Sequence, residues 1–73
     1  MVNRQETIRF ITEVLNQNKN GIPAKSLARE IRDQFKYEVK KSDINPILYG
    51  EKSLFESRNY SPPLWFLKVS HPI

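Results

Sequence analysis

Two short segments in the second half of the chain combine residue types that bind nucleic acid. "NPILY" contains Asn45 and Tyr49, and "SPPLW" ends in Trp65, the only tryptophan. An amide can hydrogen-bond a phosphate or a base edge, and an aromatic ring offers a flat face and, in Tyr, a hydroxyl. Residues four apart lie on one face of a helix, so Asn45 and Tyr49 are expected to point the same way.

Lysines extend this stripe at both ends. Lys41 precedes Asn45 by one helical turn and Lys52 follows Tyr49, around a helix predicted over 42–51. Cations at these positions would neutralise phosphates without reading sequence. The apolar residues of the segment lie on another side and are predicted to face the core: Ile44, Ile47 and Leu48.

Little in the sequence supports catalysis. The chain has no cysteine, no glycine-rich phosphate loop and one histidine, His71, in a tail expected to be exposed. No pair of carboxylates is placed in an obvious cleft, and so short a chain leaves little volume for a pocket. We therefore expect no enzymatic activity, no catalytic residues, no metal site and no cofactor.

The overall charge is mildly basic. Twelve Lys and Arg against eight Asp and Glu give a net charge of +4, a modest pointer to nucleic acid or to an acidic partner. No apolar run approaches the roughly 20 residues that span a bilayer, and the N-terminus lacks the apolar stretch of a signal peptide. We expect an intracellular protein of the cytoplasm, nucleus or nucleoid, with no membrane partner.

Helical periodicity predicts three elements that could position these residues. Apolar side chains recur at spacings of three and four over 4–18, 24–36 and 42–51. Asn3 is the predicted N-cap of the first helix, with an acid three residues later as in a capping box. Ser42 is the predicted N-cap of the third helix, which would put the following proline, Pro46, at its fourth position.

The remaining segments predict a small sheet. "GIP" at 21–23 is a short extended link, 53–57 and 64–69 are strands, and 58–63 is the loop joining them. The order α-β-α-α-β-β is that of an α+β winged helix-turn-helix fold, with three helices and a small antiparallel sheet. We expect one domain over 1–73 with frayed ends at 1–3 and 70–73, which also fits a fragment of a longer protein.

Taken together, these residues resemble the Z-DNA/Z-RNA-binding Zα family, a subclass of winged helix domains, from about residue 6 to residue 68. The family pattern has Asn and Tyr at this spacing on the recognition helix, a lysine one turn earlier, and a wing ending in Pro-Pro-x-Trp. The matching residues here are Lys41, Asn45, Tyr49, Pro62, Pro63 and Trp65.

The resemblance implies recognition of shape. In the family, the Tyr ring contacts a syn purine that the left-handed helix exposes, while the Trp holds that ring and the Asn and Lys contact the zigzag phosphates. It therefore implies selective binding of Z-form duplex DNA or RNA through helix 42–51 and wing 58–65. Two copies of the chain on one duplex are a further expectation. Additional phosphate contacts are expected from Lys40, Lys52 and Arg58.

The chain departs from the family at Pro46, because family members often carry a cation directly after the Asn. One phosphate contact is lost there, and Lys40 in the charged turn 36–43 is expected to compensate.

Two other functions fit the same residues. The chain could be a general B-DNA-binding winged helix that targets a larger DNA-processing or regulatory protein. It could also be a protein-interaction winged helix in which a basic stripe on the second helix binds an acidic partner. That stripe consists of Lys25, Arg29, Arg32 and Lys36.

Plainer interpretations of the same residues are lysines that are only solvated and a Tyr49–Trp65 pair that only packs at the edge of the core.

Overall fold

A computed structural model describes residues 3–58 and 60–68 and shows a small α+β fold. The elements are α1 (Arg4–Gln17), β1 (Ile22–Pro23), α2 (Ala24–Phe35), α3 (Lys41–Gly50), β2 (Phe55–Arg58) and β3 (Leu64–Leu67). This order confirms the predicted winged helix arrangement, although element ends differ from the predictions by up to two residues. Helices α2 and α3 form the helix-turn-helix, and β2, β3 and their connection form the wing.

The three strands pair in the order β1-β3-β2, and both pairings are antiparallel. Trp65 lies in the central strand, opposite Ile22 on one side and Ser57 on the other. Directly opposed residues of an antiparallel pair point to the same face of a sheet. The register therefore fixes Trp65 on the face that also carries the buried Ile22.

The core lies between the three helices and this face of the sheet. The apolar stripes predicted for α1, α2 and α3 are confirmed, with Phe35 and Ile8 half-buried at the margin. A further buried side chain, Val39, comes from the turn between α2 and α3, where Arg32 Nη1 donates to the Val39 carbonyl at 2.8 Å. This hydrogen bond and the burial of Val39 hold the turn that sets α3 against α2.

The predicted N-cap of α1 is confirmed, because Asn3 Oδ1 accepts a hydrogen bond from the Glu6 N–H at 3.0 Å. The Asn3 N–H also donates to the Tyr37 hydroxyl at 2.8 Å. Asn3 is therefore held in place, although it falls within the predicted frayed end 1–3. The other predicted frayed residues and His71 lie outside the described residues.

The predicted N-cap of α3 is wrong. The helix begins at Lys41 with Lys40 as its N-cap, because Asp43 Oδ2 reaches back to accept from the Lys40 N–H at 2.9 Å. Ser42 thus lies inside the first turn. Pro46 falls two residues deeper than expected, at the sixth helical position, and α3 continues through it to Gly50.

Gly21 permits close packing between the α1–β1 turn and β3. Its φ is +94°, and a Cβ at this position would lie 2.5 Å from Cζ of Phe66. Only glycine combines that backbone conformation with such a close approach.

Within the described residues, no helix is long and apolar enough to cross a membrane.

We predict that Gly21→Ala lowers the free energy of unfolding by at least about 2 kcal/mol, because left-handed backbone strain and overpacking add. Gly50→Ala is the control, since its Cβ would meet only the end of the Arg4 side chain at 3.2 Å. Urea unfolding of both variants is the measurement. Equal stabilities for the two variants would contradict this account of Gly21.

We also predict that Pro46→Ala raises the free energy of unfolding by about 1–2 kcal/mol. Proline cannot donate to the carbonyl four residues earlier and crowds it, a cost partly offset by a stiffer unfolded chain. Pro63→Ala, outside any helix, should give no such gain in a thermal melt. A Pro46→Ala variant no more stable than the wild type would show that α3 accommodates the ring without cost.

Candidate nucleic-acid interface

A groove of about 220 Å³ runs between the first turn of α2, the exposed side of α3 and the wing. Six of the predicted contact residues line it: Lys41, Asn45, Tyr49, Pro62, Pro63 and Trp65. They come from segments twelve or more residues apart in the sequence, so the fold assembles this surface from α3 and the wing. The Ser61–Pro62 peptide bond on the wing side is cis.

Tyr49 and Trp65 form an edge-to-face aromatic pair beside this groove. Their ring centroids lie 4.9 Å apart with an interplanar angle of 84°, a favoured geometry that contributes about 0.5–1.5 kcal/mol beyond burial. Trp65 is 4% exposed, whereas Tyr49 is 55% exposed. A tryptophan fixed in the central strand therefore supports a tyrosine ring that remains largely open to a ligand.

The exposed side of α3 presents one polar or aromatic side chain per turn to the groove: Lys41, then Asn45, then Tyr49. Asn45 is half-buried, and its side chain forms no hydrogen bond with the described residues. If its amide atoms were buried they would be unsatisfied, and no such buried atom occurs among the described residues. The Asn45 amide therefore remains accessible to solvent.

The groove is positively charged. Lys25 and Lys41 line it, and of the residues that the structure describes no acidic one does. The ion pairs among the described residues join Arg4 to Glu51 and Arg58 to Glu56, so neither lysine of the groove is neutralised by a carboxylate there. Uncompensated cations facing a shared concave surface attract an anionic ligand.

Three predicted phosphate contacts lie outside this groove. Lys52 lines a second groove of about 260 Å³ that also contains Tyr49 and Trp65. Lys40 is exposed at the N-terminus of α3. The structure brings both lysines near α3 without placing them among the groove residues.

Arg58 is turned away from the groove. It is opposite Leu64 in the sheet, one residue before Trp65, and successive side chains of a strand point to opposite faces. Its guanidinium carbon lies 4.4 Å from the Phe66 ring centroid, and Nη2 lies 3.5 Å from Glu56 Oε2. These contacts engage Arg58 on the other face of the wing.

Sequence patterns did not place the first turn of α2 in the site, although Pro23, Ala24 and Lys25 line the groove. The available signal was the short link before α2, because its pairing with β3 brings this turn beside Trp65. Tyr60, in the wing, is a further exposed aromatic residue at 57%, but it does not line the groove.

The fold and the groove define a winged helix domain with an open, basic surface between helix and wing. No family model and no solved structure matches the chain. The chain is similar to uncharacterized protein I73R of African swine fever virus, with 29% identity over 70 residues. The alignment covers 90% of this chain and 96% of that protein, so the similarity extends over nearly the whole of both.

Of the described residues, no three His, Cys, Asp or Glu side chains cluster in a way that could hold a metal ion. The groove itself presents two lysine cations, the Asn45 amide and two aromatic rings.

We predict that Tyr49→Ala moves the emission maximum of Trp65 to longer wavelength and increases its quenching by acrylamide, because removing the ring exposes the indole to water. Trp65 is the only tryptophan, so the signal has one source. Tyr60→Ala removes an exposed aromatic that forms no ring pair with Trp65 and should leave the spectrum unchanged. Identical spectra for both variants would contradict the contact.

Proposed function

We propose that this chain is a nucleic-acid-binding winged helix domain that selects left-handed Z-form duplex, DNA or RNA. The observation that carries the proposal is the contact between the exposed Tyr49 and the buried Trp65. This pair adjoins the wing prolines, Lys41 and Asn45 in one groove. The arrangement agrees with the resemblance of these residues to the Zα family.

The proposed contacts divide into backbone and base. Lys41 and Asn45 would bind successive phosphates, because one helical turn separates them and both side chains are free to donate. Such contacts fix the position of the duplex without reading sequence. Pro62 and Pro63 would touch the backbone from the wing, and their stiffness limits the entropy lost on docking.

Base contact would come from the Tyr49 ring. In a right-handed duplex the base faces are stacked on one another, and the grooves present base edges to a protein. The Tyr49 ring, which Trp65 supports on the core side, would offer mainly its face and would find few contacts in those grooves. A left-handed duplex exposes syn purines on its surface, which suits a fixed aromatic ring. Selectivity would then depend on duplex conformation, as in indirect readout.

The geometry gives less support to an acidic protein partner on α2. The basic stripe predicted for that function is divided, because Lys25 faces the groove while Arg32 donates to the Val39 carbonyl at 2.8 Å. Lys36 is the C-cap of α2, outside the helix proper, with φ 53°. The four residues are all exposed, but two of them are engaged at different places in the fold.

We predict that the protein inverts the circular dichroism spectrum of an alternating CG duplex from the right-handed to the left-handed form. Tyr49→Ala should weaken binding by about 5- to 150-fold, the range for loss of one aromatic–base contact. Tyr49→Phe keeps the ring and its support by Trp65, so it should retain most of the affinity.

The controls separate the alternative functions. A non-alternating duplex of equal length should bind more weakly and keep its right-handed spectrum. Binding of the CG duplex without inversion, even at high protein excess, would leave a general duplex-binding domain and remove selectivity for the left-handed form. No binding at about 50 mM salt, where phosphate contacts are strongest, would remove the nucleic-acid function altogether.

A further inference from the structure

The first turn of α2 forms a wall of the groove opposite α3. Pro23 pairs with Leu64 across β1 and β3, and α2 begins at the next residue, Ala24, which is buried. The start of α2 is therefore fixed by the sheet on one side and by the core on the other. Lys25, the second residue of the helix, is exposed and lines the groove.

Helix α3 supplies one cation to this groove. Its exposed side carries Lys41, followed by the neutral Asn45 and Tyr49, and position 46 is a proline. The other cation lining the groove is Lys25, from a different element. The positive charge of the groove is thus shared between two walls, and the described carboxylates form no ion pair with either lysine.

We propose that Lys25 is a phosphate-binding residue, which makes α2 a third element of the nucleic-acid interface beside α3 and the wing. The inference rests on the proposed function and extends its surface. A phosphodiester carries one negative charge and two free oxygens, so it can lie between two ammonium groups. Such an anion also relieves the repulsion between Lys25 and Lys41.

Lys25 is expected to act on affinity and not on selectivity. An ammonium group is a compact point charge on a flexible stem, without the planar fork that recognises a base edge by two parallel hydrogen bonds. Its contact with the backbone would be available in any duplex that lies along the groove. Selection of the left-handed form would remain with the Tyr49 ring.

Arg29 provides a matched control. It lies one turn after Lys25 on the same helix, carries the same charge and is exposed, but it does not line the groove. A general effect of net charge would appear equally in Lys25→Ala and Arg29→Ala. A specific phosphate contact would appear in Lys25→Ala alone, and Lys25→Arg should preserve it.

The test is the affinity for a fluorescent alternating CG duplex between about 50 and 200 mM salt, measured by anisotropy for the wild type and the three variants. Lys25→Ala should reduce the slope of log K against log salt by about 0.9, the value for one lost phosphate contact. With the two lines meeting near 1 M salt, where phosphate contacts contribute least, that change makes the affinity of Lys25→Ala about 15-fold lower than that of the wild type at 50 mM salt. Arg29→Ala should keep the wild-type slope, and thermal melts should show all variants folded.

Each outcome decides the inference. A reduced slope in Lys25→Ala alone supports it, whether or not the duplex is inverted. Equal slopes for Lys25→Ala and Arg29→Ala, with a wild type that inverts the duplex, would overturn the role of Lys25 and leave the proposed function standing. A wild type that binds no duplex would overturn both.

Discussion

Trp65 occupies the central strand of the sheet, where backbone pairing on both sides and burial against the helices leave its ring little freedom. The other features of the groove depend on this position. The ring supports Tyr49 at the C-terminal end of α3, and the strand it belongs to also pairs with β1, which leads directly into α2. One indole thus links the core, the wing and both helices of the helix-turn-helix motif.

Several residues that break local rules lie in the groove or next to it. Pro46 follows Asn45 inside a ten-residue helix, Tyr49 is a large aromatic left exposed, and two prolines lie in the wing. Away from the groove, Lys36 adopts a left-handed backbone at the C-cap of α2, but the three helices carry apolar stripes and the buried side-chain polar atoms of the described residues have partners. Proteins commonly accept such exceptions at functional sites and compensate for them in the surrounding structure.

The parts that could be predicted are those set by local spacing. Apolar periodicity located all three helices, and successive spacings of four aligned Lys41, Asn45 and Tyr49 on α3. The Ser42 cap was wrong because the side chain of a nearby acid, Asp43, accepts from the Lys40 N–H, which makes Lys40 the N-cap and starts the helix at Lys41. The side of the wing on which Arg58 lies could not be predicted, since it depends on sheet register, which one residue of slip reverses.

The central claim is that the groove selects duplex conformation. The most direct test compares affinities for two duplexes of equal length and charge at 150 mM salt: an alternating CG duplex locked left-handed by base bromination, and a non-alternating right-handed one. Equal charge removes the contribution of phosphate number from the comparison. We predict at least about tenfold tighter binding to the left-handed duplex, or about 1.4 kcal/mol. Equal affinities would contradict the account.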